Sequence, residues 1–464
     1  MHIEINQHTK FGIIGLGKTG IATYNFLKSK ARVICYDDKY ADKCTEVLSE
    51  KVTNINDNLW TELDYIILSP GIPTKFPKPH KAVEIAQKFN IPIVSDIDIF
   101  FSYYKNLSFK PLYIAVTGTN GKSTTCKLLQ HIFSHYTIIG NIGNPALDNV
   151  KDIDGVNISS FQNIAKDSGY VIELSSYHLE IIKSFTPDIA VITNIDSDHL
   201  DRHGTLENYI QAKFNIASQM NKSQVLLANI DDKHIKQNLY KVKNTNIVTF
   251  SLCDSKADIH TNEGSIIYKG EKIKLPNNKF LPGEHNLYNI LASYGVSKHI
   301  TTNLDRDRDV DFFIDRVNSF QGLPHRLQFI RKIDDIEFYN DSKATNTQAC
   351  FQALNTFKNI FWLAGGVFKE ENIDFLLELI KTNVQKAYLY GQAKEMFAKQ
   401  LTAIRVEFTV LNNMQESFYN AFDDAKRSVA TNKTILLSPS CASFDQFENF
   451  EQRGQKFVEL IVNL

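Results

Sequence analysis

Apolar residues come in short runs that end in glycine, asparagine or acidic residues, and helical spacing fills the stretches between them. Residues 11–17 read FGIIGLG and lead through KTG into a helical pattern over 21–28. The run 32–36 closes on Asp37 and Asp38, and the run 65–68 on Ser69, Pro70 and Gly71. This predicts a β-turn-α-β unit with glycines at 15, 17 and 20, closed by residues 95–98. A second series begins near Pro111. Strand 113–116 enters a glycine-rich turn and a helix through His135, and strands 169–173 and 189–193 follow. Short polar strands within 255–282 predict a small antiparallel patch, before helical periodicity returns over 286–294. From Gly322, strands are expected at 336–340, 360–364, 386–390, 405–410 and 434–438, with helices between them and from Gln446 to the end. Strands alternating with helices predict an α/β chain with mostly parallel sheets. The expected domains are 1–108, 109–321 and 322–464.

Composition narrows this picture. A chain of 464 residues exceeds one hydrophobic core. The formal charge is -1, so no long-range field favours nucleic acid or a membrane surface. The six cysteines, at 35, 44, 126, 253, 350 and 441, have no zinc-knuckle spacing and read as reduced residues of a cytoplasmic protein. No apolar stretch approaches a membrane span, and the N-terminus has no long apolar h-region.

The decisive chemistry lies in PLYIAVTGTNGKSTTC, residues 111–126. Backbone N–H groups around Gly118, Thr119, Asn120 and Gly121 can face phosphate oxygens. Lys122 can reach the outer phosphates, and Ser123, followed by Thr124, can hold Mg²⁺. The usual spacing places another glycine where Val116 stands, so this is a short variant of a nucleoside-triphosphate cradle. Glu173 ends the strand 169–173 and offers a hard oxygen ligand, or else caps a helix. His199 stands among Asp196, Asp198 and Asp201, a set that can supply imidazole and carboxylate to a metal or simply line a loop. Lys213, on the following helix, reads by itself as a solvated lysine. The loop at 15–20 suits a dinucleotide, another phosphorylated ligand or a purely structural turn. In the third segment GLPHR (322–326), NDSKATN (340–346), GGVFK (365–369) and SPSCASFDQFENFEQRG (438–454) fall at strand ends, where ligands of parallel sheets gather. Arg326 there can clamp a phosphate or a carboxylate.

Together these motifs, with NIGNP (141–145), ELSSYHLE (173–180), NIDSDHLDRH (194–203) and GEHNLYN (283–289), resemble the Mur ligase family along essentially the whole chain. NDSKATN and the final motif point to its D-glutamate-adding branch. The resemblance implies a Rossmann-like N-terminal domain for a UDP-sugar, a central P-loop ATPase-like domain and a Rossmann-like C-terminal domain that brings the amino acid. Lys18, Thr19, Asp37, Asp38 and Gly71 match positions around the uracil and phosphates, so the first loop is expected to hold UDP and not NAD. Lys39 stands where some relatives carry arginine. Asn141 and Ser175 match the sugar side. Asn286, His325, Arg326 and Asp341 match the ATP side, alongside Gly118 to Thr124. Lys213 matches a lysine that the family carbamylates, His199 its metal-binding partner, and Ser123 and Glu173 the first ion's ligands. Lys343, Thr345, Lys369, Ser443 and Phe444 match the D-glutamate site; Val367 departs from a position that is often acidic.

What the resemblance implies is amide formation driven by ATP with two Mg²⁺ ions. Its expected substrates are UDP-N-acetylmuramoyl-L-alanine and D-glutamate, its expected state a monomer, and its expected setting the synthesis of peptidoglycan precursors. Lys122, Glu173, His199 and Lys213 are the expected catalytic residues.

Overall fold

In the computed structural model the described residues are 3–39, 54–56, 58–105, 111–150, 169–300, 309–369 and 372–464. The expected boundary at 108/109 and Cys44 lie outside them. Three sheets form. The first has β1 (Lys10–Ile14), β2 (Arg32–Tyr36), β3 (Tyr65–Leu68) and β4 (Ile93–Val94), in the order β2-β1-β3-β4 and wholly parallel. β1 and β3, its central strands, are rich in isoleucine and mostly buried, as strands covered by crossover helices require, while one face of the edge strand β2 is only half-buried. The helix Lys18–Leu27 links β1 to β2. The helix Lys81–Phe89 is capped at one end by the His80 side chain and ends at Asn90 in the left-handed conformation.

The second sheet has nine strands. Its parallel part comprises β5 (Leu112–Thr117), β6 (Thr137–Gly140), β7 (Gly169–Glu173), β8 (Ile189–Ile192), β9 (Val225–Asn229), β10 (Asn246–Ser251) and β11 (Ile259–Asn262). The antiparallel strands β12 (Ser265–Tyr268) and β13 (Glu271–Lys274) finish one edge. The predicted antiparallel patch is therefore an extension of the central sheet, because β11 pairs in parallel with β10. Phe101, Tyr104, Tyr113, Tyr170 and Phe185 share one buried cluster with the first sheet's Phe11 and Ile13.

The third sheet runs β14-β15-β19-β16-β17-β18. It is built from β14 (Gln328–Ile333), β15 (Ile336–Asn340), β16 (Ile360–Gly365), β17 (Val384–Tyr390), β18 (Phe408–Val410) and β19 (Lys433–Leu437), with only β14 antiparallel. Trp362 and Leu436 face one buried cluster, Phe338 and Leu437 the other. The strand expected at 405–410 is shorter, because Arg405 turns left-handed and closes the preceding helix. The last helix begins at Phe450, later than expected, because the Asn449 side chain caps it at the Gln452 N–H.

The chain divides into two compact units. One comprises Met1–Leu275 and Tyr288–Val317, and the other Pro276–Leu287 and Asn318–Leu464. No described helix is long and apolar enough to cross a membrane.

Candidate active site

In the first unit β5 runs straight into the glycine loop and the helix Lys122–Ile132. Gly121, at φ 83°, starts that helix, and a Cβ there would sit 2.7 Å from the Asn289 amide oxygen. At Gly118 a Cβ would collide with the Thr193 hydroxyl. Only glycine leaves the loop against its neighbours. The loop is zipped to the segment after β8. Thr119 N–H donates to the Asn194 carbonyl (2.9 Å), Asn120 N–H to the Asn194 side-chain oxygen (2.8 Å), and Asp196 N–H to the Thr119 hydroxyl (2.9 Å).

Two amines meet at one carbonyl. Lys122 Nζ donates to Gly118 O (2.7 Å) and Thr119 O (2.8 Å), and Lys213 Nζ donates to the same Gly118 O (2.8 Å). Lys213 is buried on its helix (Leu206–Phe214), contrary to the local expectation of a solvated lysine. Burial, with the charge of Lys122 added, holds its amine well below the usual lysine range, and Asp198 opposes the shift. Its Nζ lies 4.5 Å from the Tyr209 ring centre.

Glu173 ends β7 beside β5 and is 1% exposed. Its Oε1 accepts from Asn141 Nδ2 (2.9 Å), while Oε2 is buried with no hydrogen-bond partner among the described residues. A buried carboxylate oxygen so placed is costly unless something cationic meets it, so the donor set fits a hard divalent ion. Asn141 and Glu173 are thus brought together. Ser175 caps the helix Ser176–Ile181 and contacts His178 Nδ1 (2.7 Å).

His199 sits at φ 52°, with Nδ1 3.1 Å from the Tyr177 hydroxyl and Nε2 3.4 Å from Asp198. The acids around it do not converge on an ion. Among the described residues no group of three or more His, Cys, Asp and Glu side chains is placed to hold a metal. Asp196 and Asp198 instead accept the N–H groups of Ser197 (2.7 Å) and His199 (2.9 Å). Short side chains bonding their own backbone stay in the turn. Burial lowers His203, with Glu180 opposing the shift and the Arg202 charge adding to it.

At the first sheet, Asp37 bonds its own neighbourhood, accepting Leu16 N–H (2.6 Å) and Lys39 N–H (2.8 Å). It therefore shapes the glycine loop. Asp38 is 3.1 Å from His80 Nε2, in a cleft of about 440 Å³ lined also by Tyr36, Pro73, Lys78 and Lys81. Lys18 and Gly71 are exposed, and Thr19 is half-buried.

In the second unit the ends of β15, β19 and β16 lie side by side. Asp341 N–H donates to Leu437 O (2.7 Å), and Val367 and Ala442 form a two-bond bridge (2.8 and 3.0 Å). Asp341 is buried and accepts from Leu327 N–H (3.1 Å) and the Ser438 hydroxyl (2.8 Å). Burial pushes its carboxyl up to about 7. Arg453, fully buried, donates to the Ser342 hydroxyl (2.9 Å), Ser342 O (2.7 Å) and Cys441 O (3.0 Å). His325 Nδ1 is 3.0 Å from Asn340 Nδ2. Asn286 donates to Pro282 O (2.6 Å), and burial, with the nearby Arg326 charge, lowers His285 to about 4.

Lys343 and Lys369 are exposed. They lie over the rings of Phe450 (5.5 Å) and Phe444 (5.7 Å) respectively. Ser443 is buried, Thr345 is half-buried, and Phe444 is 66% exposed.

Family models describing the Mur ligase MurD-like N-terminal domain, the Mur ligase middle domain and the Mur ligase glutamate ligase domain match residues 9–95, 116–297 and 325–441. The UDP-N-acetylmuramoylalanine--D-glutamate ligase of Rickettsia felis is 43% identical over 98% of this chain and 98% of its own length. The chain belongs to the Mur ligase family. The enzyme of the same name from Rickettsia prowazekii is 42% identical over 97% of both chains. The UDP-N-acetylmuramate-alanine ligase of Thermotoga maritima shares the fold at a TM-score of 0.56 and 17% identity, covering 98% of this chain and 100% of that one. The α/β architecture expected for a Mur ligase is the one found.

Some residues of this Mur ligase that organise the site were not singled out in the sequence. Asn194, Asn289, Phe450 and Arg453 each lie inside a recognised motif. Which loop side chain turns inward is set by backbone geometry, which a linear motif does not carry.

Proposed function

We propose that this chain joins D-glutamate to the L-alanine carboxyl of UDP-N-acetylmuramoyl-L-alanine, with ATP converted to ADP and phosphate. Residues 1–108 hold the nucleotide sugar, 109–321 the ATP, and 322–464 the amino acid. The observation that carries this reading is the meeting of Lys122 and Lys213 at Gly118 O, in the unit where Glu173 keeps a buried oxygen with no hydrogen-bond partner among the described residues. The Lys122 ammonium at the loop carbonyl suits a polyanion, the buried Lys213 amine beside it suits carbamylation, and the Glu173 oxygen suits a divalent ion.

In the first step a carboxylate oxygen of the substrate attacks the γ-phosphorus, the bond to the β-phosphate oxygen breaks, and an acyl phosphate and ADP result. Lys122 exchanges its loop carbonyls for phosphate oxygens, a stronger charge-assisted pairing. The loop N–H groups from Gly118 to Thr124 hold the phosphates in line. Ser123 and Glu173 would hold one Mg²⁺, and His199 and carbamylated Lys213 the other, and such ions would supply positive charge to offset that of the transferring group. Lys213 suits carbamylation because a lysine held below its usual range keeps a neutral amine, whose lone pair can bond carbon dioxide with loss of one proton. Asn286, His325, Arg326 and Asp341 serve the nucleotide. In the second step the amine of D-glutamate attacks the acyl carbon, and the tetrahedral adduct expels phosphate. Lys343, Lys369, Thr345, Ser443 and Phe444 bind the two carboxylates and the chain of the amino acid. Lys18, Thr19, Asp37, Asp38, Gly71, Asn141 and Ser175 serve the nucleotide sugar.

The test is phosphate release from ATP with UDP-N-acetylmuramoyl-L-alanine and a panel of D- and L-amino acids. Release and a new amide with D-glutamate support the reading. Preference for another amino acid, or for another nucleotide sugar, contradicts it.

A further inference from the structure

The first unit contains a buried ion pair that the reaction as written does not use. Arg202 lies on the turn of helix Leu200–His203, directly after His199. Its guanidinium reaches Glu180 at 2.9 Å, on the helix that Ser175 caps, with the two side chains 7% and 14% exposed. The same guanidinium donates to the carbonyl of Ile72 (3.0 Å), in the loop that follows β3 and Gly71. Thr74 of that loop donates its hydroxyl to Glu180 as well. On its other side Arg202 stands 5.3 Å from the centre of the Tyr177 ring, and the Tyr177 hydroxyl is 3.1 Å from His199 Nδ1. At the far end, Ser69 opens the loop and bonds Gly15 O of the glycine turn (2.7 Å).

Burying an arginine and a glutamate together costs much of what their attraction returns, so stability alone is a weak reason for the pair. Its geometry is specific. A planar fork spends one arm on the nucleotide-sugar loop and one on the helix beside the phosphate site. We infer that Arg202 is a positioning residue that registers the loop at Gly71–Thr74 against the turn carrying His199, so that the substrate carboxyl arrives in line with the γ-phosphate. This rests on the proposed function. It predicts a response divided between nucleotide-sugar binding and turnover, with ATP binding left alone.

The test is steady-state kinetics on the full chain, with each variant checked for folding. Arg202→Met should raise the KM for UDP-N-acetylmuramoyl-L-alanine about tenfold and lower kcat about tenfold, since small misplacement is expensive for an in-line attack. The KM for ATP should stay within about twofold, because none of these contacts touches the phosphate loop. Arg202→Lys should recover part of the nucleotide-sugar KM, as one donor arm survives without the fork. Thr74→Val should raise the same KM about threefold by removing one hydrogen bond to Glu180. Folded variants with an unchanged nucleotide-sugar KM, or with the ATP and sugar constants rising together, overturn the inference. If Arg202→Met does not fold, Thr74→Val decides alone, and an unchanged KM overturns it. Wild-type chain that fails to ligate removes the functional reading and this inference together; wild-type chain that ligates while the variants match it removes the inference only.

Discussion

The ends of the central parallel strands and those of the third sheet handle charge in opposite ways. At the central sheet, Lys122 and Lys213 crowd one carbonyl, and Glu173 keeps an oxygen with no hydrogen-bond partner among the described residues. At the third sheet, every arm of the buried Arg453 is bonded, and Asp341 accepts from both a backbone N–H and a hydroxyl. On the proposed function, a polyanion and a divalent ion would complete the central site. In the third-sheet loops the buried Asp341 and Arg453 are spent on scaffold, while Lys343 and Lys369 are exposed. On the proposed function, the central site keeps an unmatched buried group where its chemistry takes place, whereas the third-sheet loops present theirs on the bonded frame of Arg453 and Asp341.

Substitutions break this contrast in graded ways. Lys122→Ala should cut ligation by about 10³-fold, as loss of a phosphoryl-stabilising cation does, while calorimetry finds nucleotide-sugar binding within about twofold. Loss of that binding as well would mean the lysine supports more than the phosphate loop. Lys213→Ala should cut turnover by about 10²-fold, and added short-chain carboxylates should restore part of it by standing in for the carbamate. A flat response across a wide carboxylate titration of the folded variant counts against the carbamate. Arg453→Met should destabilise the chain by about 3 kcal/mol in urea unfolding, because two carbonyls and a hydroxyl lose their donor in a buried site. A change under about 0.5 kcal/mol would show that the frame is not what holds these loops.

The smallest expected effect is in pH dependence. Burial raises Asp341 from the usual 3.8 to about 7, so the folded chain keeps a proton that the unfolded chain has released across that window. The folded state binds more protons there, and stability falls as pH rises through it. Asp341→Asn should flatten this part of the unfolding curve, with Asp96, pushed up to about 7 by burial, keeping its own share of the slope. An unaltered slope would mean that Asp341 is ionised throughout.

Much of this was legible in the chain. Strands at 32–36, 65–68, 169–173 and 336–340 appear where the apolar runs ended, because runs bounded by glycine and carboxylates leave little choice of register. β14 was missed, since QFIRKI mixes charge into an edge strand that pairs on one side only. β6 was missed because TIIG is too short to separate from its flanking turns. The phosphate loop was readable from local spacing. Lys213 was not: its meaning comes from burial against Gly118, 95 residues away. Arg202 was invisible for the same reason, since Ile72 and Glu180 approach it only through the fold.

The central claim is that the phosphoryl group passes to the substrate carboxyl before the amide forms. It is tested most directly by supplying UDP-N-acetylmuramoyl-L-alanine with oxygen-18 in its alanine carboxyl and analysing the phosphate by mass spectrometry. One labelled oxygen per phosphate released is the predicted result, because the expelled phosphate carries the oxygen that attacked. Phosphate free of label, alongside normal amide formation, would contradict the account.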